Sequence, residues 1–270
     1  MLVATNTPAR AGKVAHRKTA PASDRPDVPA GLPNRVFVGT SGWAYPSWKP
    51  EFYPQALPQK KFLDYYSTQL NSVEVNYTFR HLPAPSTLDS WLAASNAKFR
   101  FSFKAPQKLT HILRLRDCSE TLDALSRALA PMEAAGRMGI VLFQLPPNFK
   151  ADLSRLDSFL VNTAGYGLRM AFEFRNPTWF CDGVYDVLRR HRVALCVAES
   201  DDLETPDVAT APFACYRFRK SEYSAAQLDV IENTLRLRSG ESEVYAYFKH
   251  EDQPTGALYS VDILRRFQGT

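Results

Sequence analysis

The sequence predicts an α/β fold, a single (β/α)8 barrel of the TIM type, on three observations. Eight short β-rich runs follow one another from Arg35 onward, most of them separated by a helical pattern, as βα units around a parallel sheet require. At 270 residues, 45% of them hydrophobic, the chain has room for one large core, and such barrels commonly need about 250 residues. No GxGxxG follows the first run, which weakens a doubly wound dinucleotide-binding reading.

The strand runs are RVFVG (35–39), SVEVN (72–76), FRFSFK (99–104), GIVLFQ (139–144), RMAFEFR (169–175), VALCVA (193–198), FACYRFR (213–219) and EVYAYFK (243–249). Between and after them lie KKFLDYYSTQL, APSTLDSWLAAS, SETLDALSRALAPMEAA, DLSRLDSFLVNT, CDGVYDVLRRH, SAAQLDVIENTLRL and GALYSVDILRRF, all helical in pattern. The link between runs six and seven, 199–212, has no helical period and carries Pro206 and Pro212, so that unit should be degenerate. Residues 1–34, rich in Ala, Pro, Thr and basic side chains, show no hydrophobic period and should form a disordered basic tail before a barrel domain at 35–270. An organelle transit peptide would share this composition, but no amphipathic stripe supports one.

Composition removes several classes of function. No stretch approaches the roughly 18 uninterrupted apolar residues of a membrane helix, and the N-terminus lacks the apolar core of a secretory signal, so a soluble cytoplasmic protein with no membrane partner is expected. Cys118, Cys181, Cys196 and Cys215 have no CxxC spacing, which indicates neither a zinc site nor a disulfide framework. The formal charge of +5 lies mostly in the tail, where Arg10, Lys13, Arg17, Lys18 and Arg25 outnumber Asp24 and Asp27. The barrel itself is then too nearly neutral to argue nucleic-acid binding from charge alone.

Alternation along each strand sorts its residues between the helix layer and the lumen. Val73 and Val75 suit the helix layer and send Ser72, Glu74 and Asn76 inward; Phe101 and Phe103 do the same for Ser102 and Lys104; Val141 and Phe143 leave Gln144 inward. On strand five Met170, Phe172 and Phe174 share one face, Ala171, Glu173 and Arg175 the other. Arg217 and Arg219 share a parity on strand seven, and Lys249 ends strand eight opposite Phe248. These polar residues fall at or near the C-terminal ends of their strands, where characterised barrel enzymes hold their chemistry. Glu74 and Glu173 are expected to pair with neighbouring cations, and structural ion pairs closing the barrel top are the alternative to a functional site. The loop after strand one carries Trp43, Tyr45, Trp48, Phe52 and Tyr53, which either stack on a ligand or cap the barrel. Asn76 and Tyr77 after strand two, with Asn176 and Trp179 after strand five, extend this rim.

Six segments, GTSGWAYPSWKPEFYP (39–54), NSVEVNYTFRHLP (71–83), FSFKAPQKLTH (101–111), FQLPPNF (143–149), EFRNPTW (173–179) and YFKHED (247–252), resemble in order the motifs of the YecE-like family, domain of unknown function 72. The resemblance runs from about Val36 to the end of the chain. It implies a barrel fold and brings no reaction, cofactor or catalytic residue. RFRK (217–220) and KHED (249–252) depart from the family pattern, which suits a more basic pocket if those positions touch ligand.

A retaining glycosidase needs carboxylates roughly 5 Å apart, usually from strands four and seven. Here those strands end in Gln144 and Arg217. A metal site is not expected either, since His16, His81, His111, His191 and His250 include none on a strand with inward parity, and no cofactor is indicated. Arg217 and Lys249, with Thr255-Gly256 opening the last helix, match the place where many barrels hold phosphate. The leading expectation is a metal-independent enzyme acting on a small anionic, phosphate-bearing substrate. In it Glu74 or Glu173 serves as general acid/base, and Lys104 stabilises developing negative charge or forms a Schiff base. Trp43, Tyr45, Asn76, Gln144, Arg175, Trp179, Arg217 and Lys249 are its candidate ligand-binding residues. The competing readings are a non-catalytic binder of single-stranded nucleic acid, through the aromatic loop and basic rim, and a scaffold with a vestigial mouth.

Overall fold

The computed structural model describes residues 35–199, 203–249 and 253–268. The expected tail at 1–34, together with His250 and the last two residues, lies outside them. Eight strands and seven α-helices follow in the order β1 (Val36–Thr40), α1 (Phe62–Gln69), β2 (Ser72–Val75), α2 (Pro85–Ala93), β3 (Arg100–Lys104), α3 (Ser119–Ala134), β4 (Met138–Gln144), α4 (Leu153–Thr163), β5 (Met170–Glu173), α5 (Asp182–Arg190), β6 (Ala194–Glu199), β7 (Phe213–Phe218), α6 (Ala225–Ser239), β8 (Glu243–Phe248) and α7 (Thr255–Gln268). All pairings are parallel, and the strand order β1-β8-β7-β6-β5-β4-β3-β2 wraps the sheet into a barrel whose two ends are β1 and β2.

Side chains close the seam between those ends. The Asn71 amide accepts from the Val38 N–H at 2.8 Å and donates to the Val36 carbonyl at 2.8 Å, standing in for a strand partner. The Tyr66 hydroxyl, reaching in from α1, accepts from the Thr40 N–H at 2.8 Å and donates to the Ser72 carbonyl at 3.1 Å. The strands come so close at Gly39 that a Cβ there would stand 1.9 Å from the Ser72 carbonyl oxygen. Only glycine fits such an approach.

Alternation divides the apolar residues into two shells, as the strand parity predicts. Val73, Val75, Phe101, Phe103, Val141, Phe143, Phe172 and Phe174 pack outward against the helices. Phe37, Ile140, Leu142, Ala171, Cys196, Cys215, Tyr245 and Tyr247 fill the lumen, the layered interior typical of such barrels. One polar layer crosses the lumen, where the Tyr247 hydroxyl meets Ser72 Oγ at 2.7 Å and Ser102 Oγ at 2.6 Å. The helices cover the wall with amphipathic faces: α5 buries Val184, Tyr185, Val187 and Leu188, and α6 starts with a capping box between Ser224 and Gln227.

Between β6 and β7 the described residues contain no helix, in agreement with the degenerate unit read from the sequence. The loop instead ties itself to β6, with Thr210 Oγ1 accepting from the Leu195 N–H at 2.8 Å and donating to the Val193 carbonyl at 2.7 Å. No helix of the described residues is long and apolar enough to cross a membrane.

The seam predicts a ranking. Tyr66→Phe should cost about 1–2 kcal/mol and Asn71→Ala about 2–3 kcal/mol, since each buried backbone group left without a partner carries its own desolvation penalty. Gly39→Ala should destabilise more than either. Urea unfolding of the three variants checks the order, and an unaffected Asn71→Ala midpoint would show that the seam closes without the amide.

Candidate functional site

The site is built on the last inward position of five strands. Glu74, Lys104, Gln144, Glu173 and Arg217 arrive there from β2, β3, β4, β5 and β7 because each lies an even number of residues from a lumen-facing neighbour. Arg217 is 1% exposed and forks between two equally buried carboxylates. Its Nη2 donates to Glu74 Oε1 at 2.7 Å, and its Nη1 donates to Glu173 Oε2. Ser41 Oγ adds a bond to Glu74 Oε1 at 2.9 Å. Glu173 Oε1 accepts from Gln144 Nε2 at 2.8 Å and Arg175 Nε at 2.9 Å.

The electrostatics follow from this pairing. Burial alone would raise the Glu173 pKa, but Arg217 and then Arg175 outweigh it and hold the carboxyl at about 2. Burial likewise disfavours the Arg217 cation, yet Glu173 and Glu74 overcompensate and raise its pKa. Glu173 is thus a fixed anion with its acceptor positions occupied, a poor general acid and an effective anchor.

Beside the fork opens a cleft of about 360 Å³ lined by Tyr45, Asn76, Phe79, Lys104, Arg217 and Arg219 among others. The Lys104 ammonium lies over the Phe79 ring, 4.3 Å from its centroid. Burial, and after it the charge of Arg217, lowers the Lys104 pKa to about 8. Arg219 is pushed down by the same two causes, and the Tyr45 phenol is raised to about 12 by burial and then by Glu74. Three polar atoms of this wall are buried with no partner among the described residues: Asn76 Oδ1, Arg217 Nε and Arg219 Nη1. Among the described residues Lys104, Arg175, Arg217 and Arg219 stand against the two carboxylates Glu74 and Glu173, which gives this part of the mouth surplus positive charge and unanswered donors.

The predicted site residues thus divide. Glu74, Lys104, Asn76, Tyr45 and Arg217 meet at the mouth, whereas Gln144 and Arg175 hold Glu173. Lys249 lines a neighbouring cleft of about 210 Å³ with Lys220, Tyr223 and Thr255, and does not share one with Arg217. The start of α7 packs against its own approach there, for a Cβ on Gly256 would lie 2.1 Å from the Lys249 carbonyl oxygen. Both tryptophans are engaged in packing, Trp43 partly buried and Trp179 within the core. Trp43 packs edge-on against Trp91 at 5.2 Å, and Trp179 is fully buried, stacked 4.6 Å from Phe174 and donating Nε1–H to the Phe149 carbonyl at 2.7 Å. Trp48, Phe52 and Tyr53 are buried as well, so the first loop caps α1 and the barrel edge. Ser41 escaped the sequence reading of the site, whereas Arg219 was sorted with Arg217 by parity without being counted among the ligand-binding candidates. Ser41 continues the inward parity of Phe37 and Gly39, so alternation carried beyond the end of β1 would have found it. Among the described residues no three His, Cys, Asp or Glu side chains gather as a metal site.

Arg217→Ala should cost about 3–5 kcal/mol, because it strips two buried carboxylates of their shared counterion. The deficit should shrink as pH falls. A carboxyl whose folded pKa lies near 2 and below the ordinary 4.5 contributes stability above about pH 4.5 and loses it on the way down to about pH 2. Urea unfolding of wild type and variant at pH 7 and pH 3 checks this, and a deficit independent of pH would rule out the charge pairing as its source.

The sequence model of the family described as Protein of unknown function DUF72 matches residues 37–269. The UPF0759 protein YecE of Escherichia coli (strain K12) is 30% identical over 152 residues, 55% of this chain and 51% of that protein. The UPF0759 protein YunF of Bacillus subtilis (strain 168) is 26% identical over 156 residues, 56% of this chain and 54% of that one. The chain spans about half the length of these curated relatives. A solved DUF72 family protein of Thermotoga maritima superposes with a TM-score of 0.76 at 24% identity, covering 86% of this chain and 98% of that chain, a likeness of fold. Barrel, motifs and family match agree, and the chain belongs to the DUF72 family of proteins of unknown function.

Proposed function

We propose that the mouth of this DUF72 barrel binds a small phosphate-bearing molecule and acts on it with the chain's own side chains. The observation that carries this reading is the pair of buried guanidinium nitrogens, Arg217 Nε and Arg219 Nη1, that have no acceptor among the described residues, beside a cleft whose described residues are in cationic surplus. Buried donors without partners are rare and costly, and an oxyanion satisfies both at once while neutralising the excess charge. A cleft of about 360 Å³ suits a metabolite rather than a polymer. Its lining favours an oxyanion and repels a bare divalent cation.

Within this reading Glu74 and Glu173 are anchors that hold the Arg217 fork in place, and proton movement falls to Lys104. The binder of single-stranded nucleic acid draws on the first loop's aromatic rings, and most of those rings are engaged in packing. Tyr77, 53% exposed at the rim, is one ring of this wall open to solvent.

Calorimetric titration with inorganic phosphate and pyrophosphate tests the proposal. Among the described residues Arg219 has no carboxylate partner within ion-pair distance, so Arg219→Ala should keep the fold and weaken binding at least about tenfold, the order of one charge-assisted hydrogen bond. Absence of saturable binding, or equal affinity in the variant, would contradict it.

A further inference from the structure

Lys104 differs from the arginines around it. Arg217 is held between two carboxylates and Arg175 leans on Glu173, whereas among the described residues no carboxylate lies within ion-pair distance of the Lys104 ammonium. Its neighbours are an aromatic face and the cationic wall of the cleft. Glu74 on β2 and Glu173 on β5 favour its charged form; burial, Arg217 on β7 and Arg175 beyond β5 oppose it, and the balance leaves its pKa at about 8. His111, in the segment after β3, faces the same charge and has its own pKa lowered by burial and then by Lys104. With the lysine near 8, roughly a tenth of it is free amine at pH 7, against well under a thousandth for a solvated lysine. Low polarity and cationic neighbours are the surroundings that turn a lysine into a nucleophile.

We infer that Lys104 is a covalent catalytic residue whose Nζ condenses with the carbonyl carbon of a substrate bearing both an aldehyde or ketone and a phosphate. The inference rests on the anion-binding reading above, which seats the phosphate against Arg217 and Arg219. The Nζ lone pair adds to the carbonyl carbon as the C=O π pair moves to oxygen, which takes a proton while the nitrogen gives one up, leaving a neutral carbinolamine. The nitrogen lone pair then forms C=N as the hydroxyl leaves with a second proton as water. One amine, one carbonyl and one net proton from solvent yield one iminium and one water, with no oxidant or reductant. Asn76 Oδ1, buried without a donor on the same wall, supplies an acceptor for a hydroxyl of the substrate or of the carbinolamine. An iminium so formed withdraws electrons from the adjacent carbon, which places the reaction class among isomerisations, aldol cleavages and condensations of phosphorylated carbonyl compounds.

The probe is pyridoxal 5′-phosphate, a phosphate-bearing aldehyde, added to the full chain, fixed with borohydride and located by peptide mass mapping. Lys104 should carry the reduced adduct at concentrations where exposed lysines such as Lys60 and Lys98 carry at least tenfold less. Pyridoxal without the phosphate should label it at least tenfold more slowly, and inorganic phosphate should protect it. Its labelling rate should level off above about pH 8 while that of the exposed lysines keeps rising. An unlabelled Lys104 in protein that still binds phosphate overturns the covalent role and leaves the anion site standing. Labelling indifferent to the phosphate group, to added phosphate and to Arg219→Ala overturns the phosphate-bearing substrate, and the anion reading with it.

Discussion

The Arg217 guanidinium, buried between Glu74 and Glu173, is the contact on which the rest of the mouth depends. It joins β2, β5 and β7 across the lumen, and through Glu173 it enlists Gln144 of β4 and Arg175. Taking three charges out of water is expensive, and apolar side chains of similar volume would close a barrel top with equal or greater stability. What the fork achieves instead is an ordering of charge. Both carboxylates are engaged by arginines, so Lys104 and Arg219 face the cleft without ion-pair partners of their own among the described residues. Preorganised donors of this kind act on a ligand without rearranging when it arrives.

The same economy governs the wall that carries the mouth. A closed barrel needs its first and last edges brought together, and here Asn71 and Tyr66 bridge β1 to β2 where a regular backbone ladder is lacking. The close approach at Gly39 draws the end of β1 in, which brings Ser41 to Glu74 and Tyr45 to the rim of the cleft. The aromatic loop that follows packs Trp48, Tyr53 and Phe62 against one another and holds that edge from outside. Closure of the barrel and the shape of its mouth are therefore coupled through one stretch of chain.

Much of this was legible in the sequence because period-two alternation is a strict geometric rule. It placed Glu74, Lys104, Glu173 and Arg217 in one lumen, and it placed the phenylalanines of β3, β4 and β5 against the helices. It also exposed the missing helix between β6 and β7, since prolines and the lack of a 3.6-residue period are local signals. The directions of the Trp43 and Trp179 rings were not legible, for the opposite reason. Both residues sit in loops, where no period applies and the direction of a ring depends on what it finds to pack against. Lys249 lies just past the end of β8 and lines a second cleft, formed with the start of α7 and the Lys220–Tyr223 segment. The seam was invisible in one dimension. Tyr66 lies on a helix with an ordinary amphipathic pattern, and only the fold shows its hydroxyl reaching between two strands.

The central claim is that the paired carboxylates leave the cationic wall waiting for an anion. A crystal structure of the protein grown in phosphate tests it most directly. A phosphate is expected in the cleft with oxygens within hydrogen-bond distance of Arg219 Nη1 and Arg217 Nε, close to Lys104 Nζ. A structure in which phosphate binds elsewhere while that wall holds only water would contradict it.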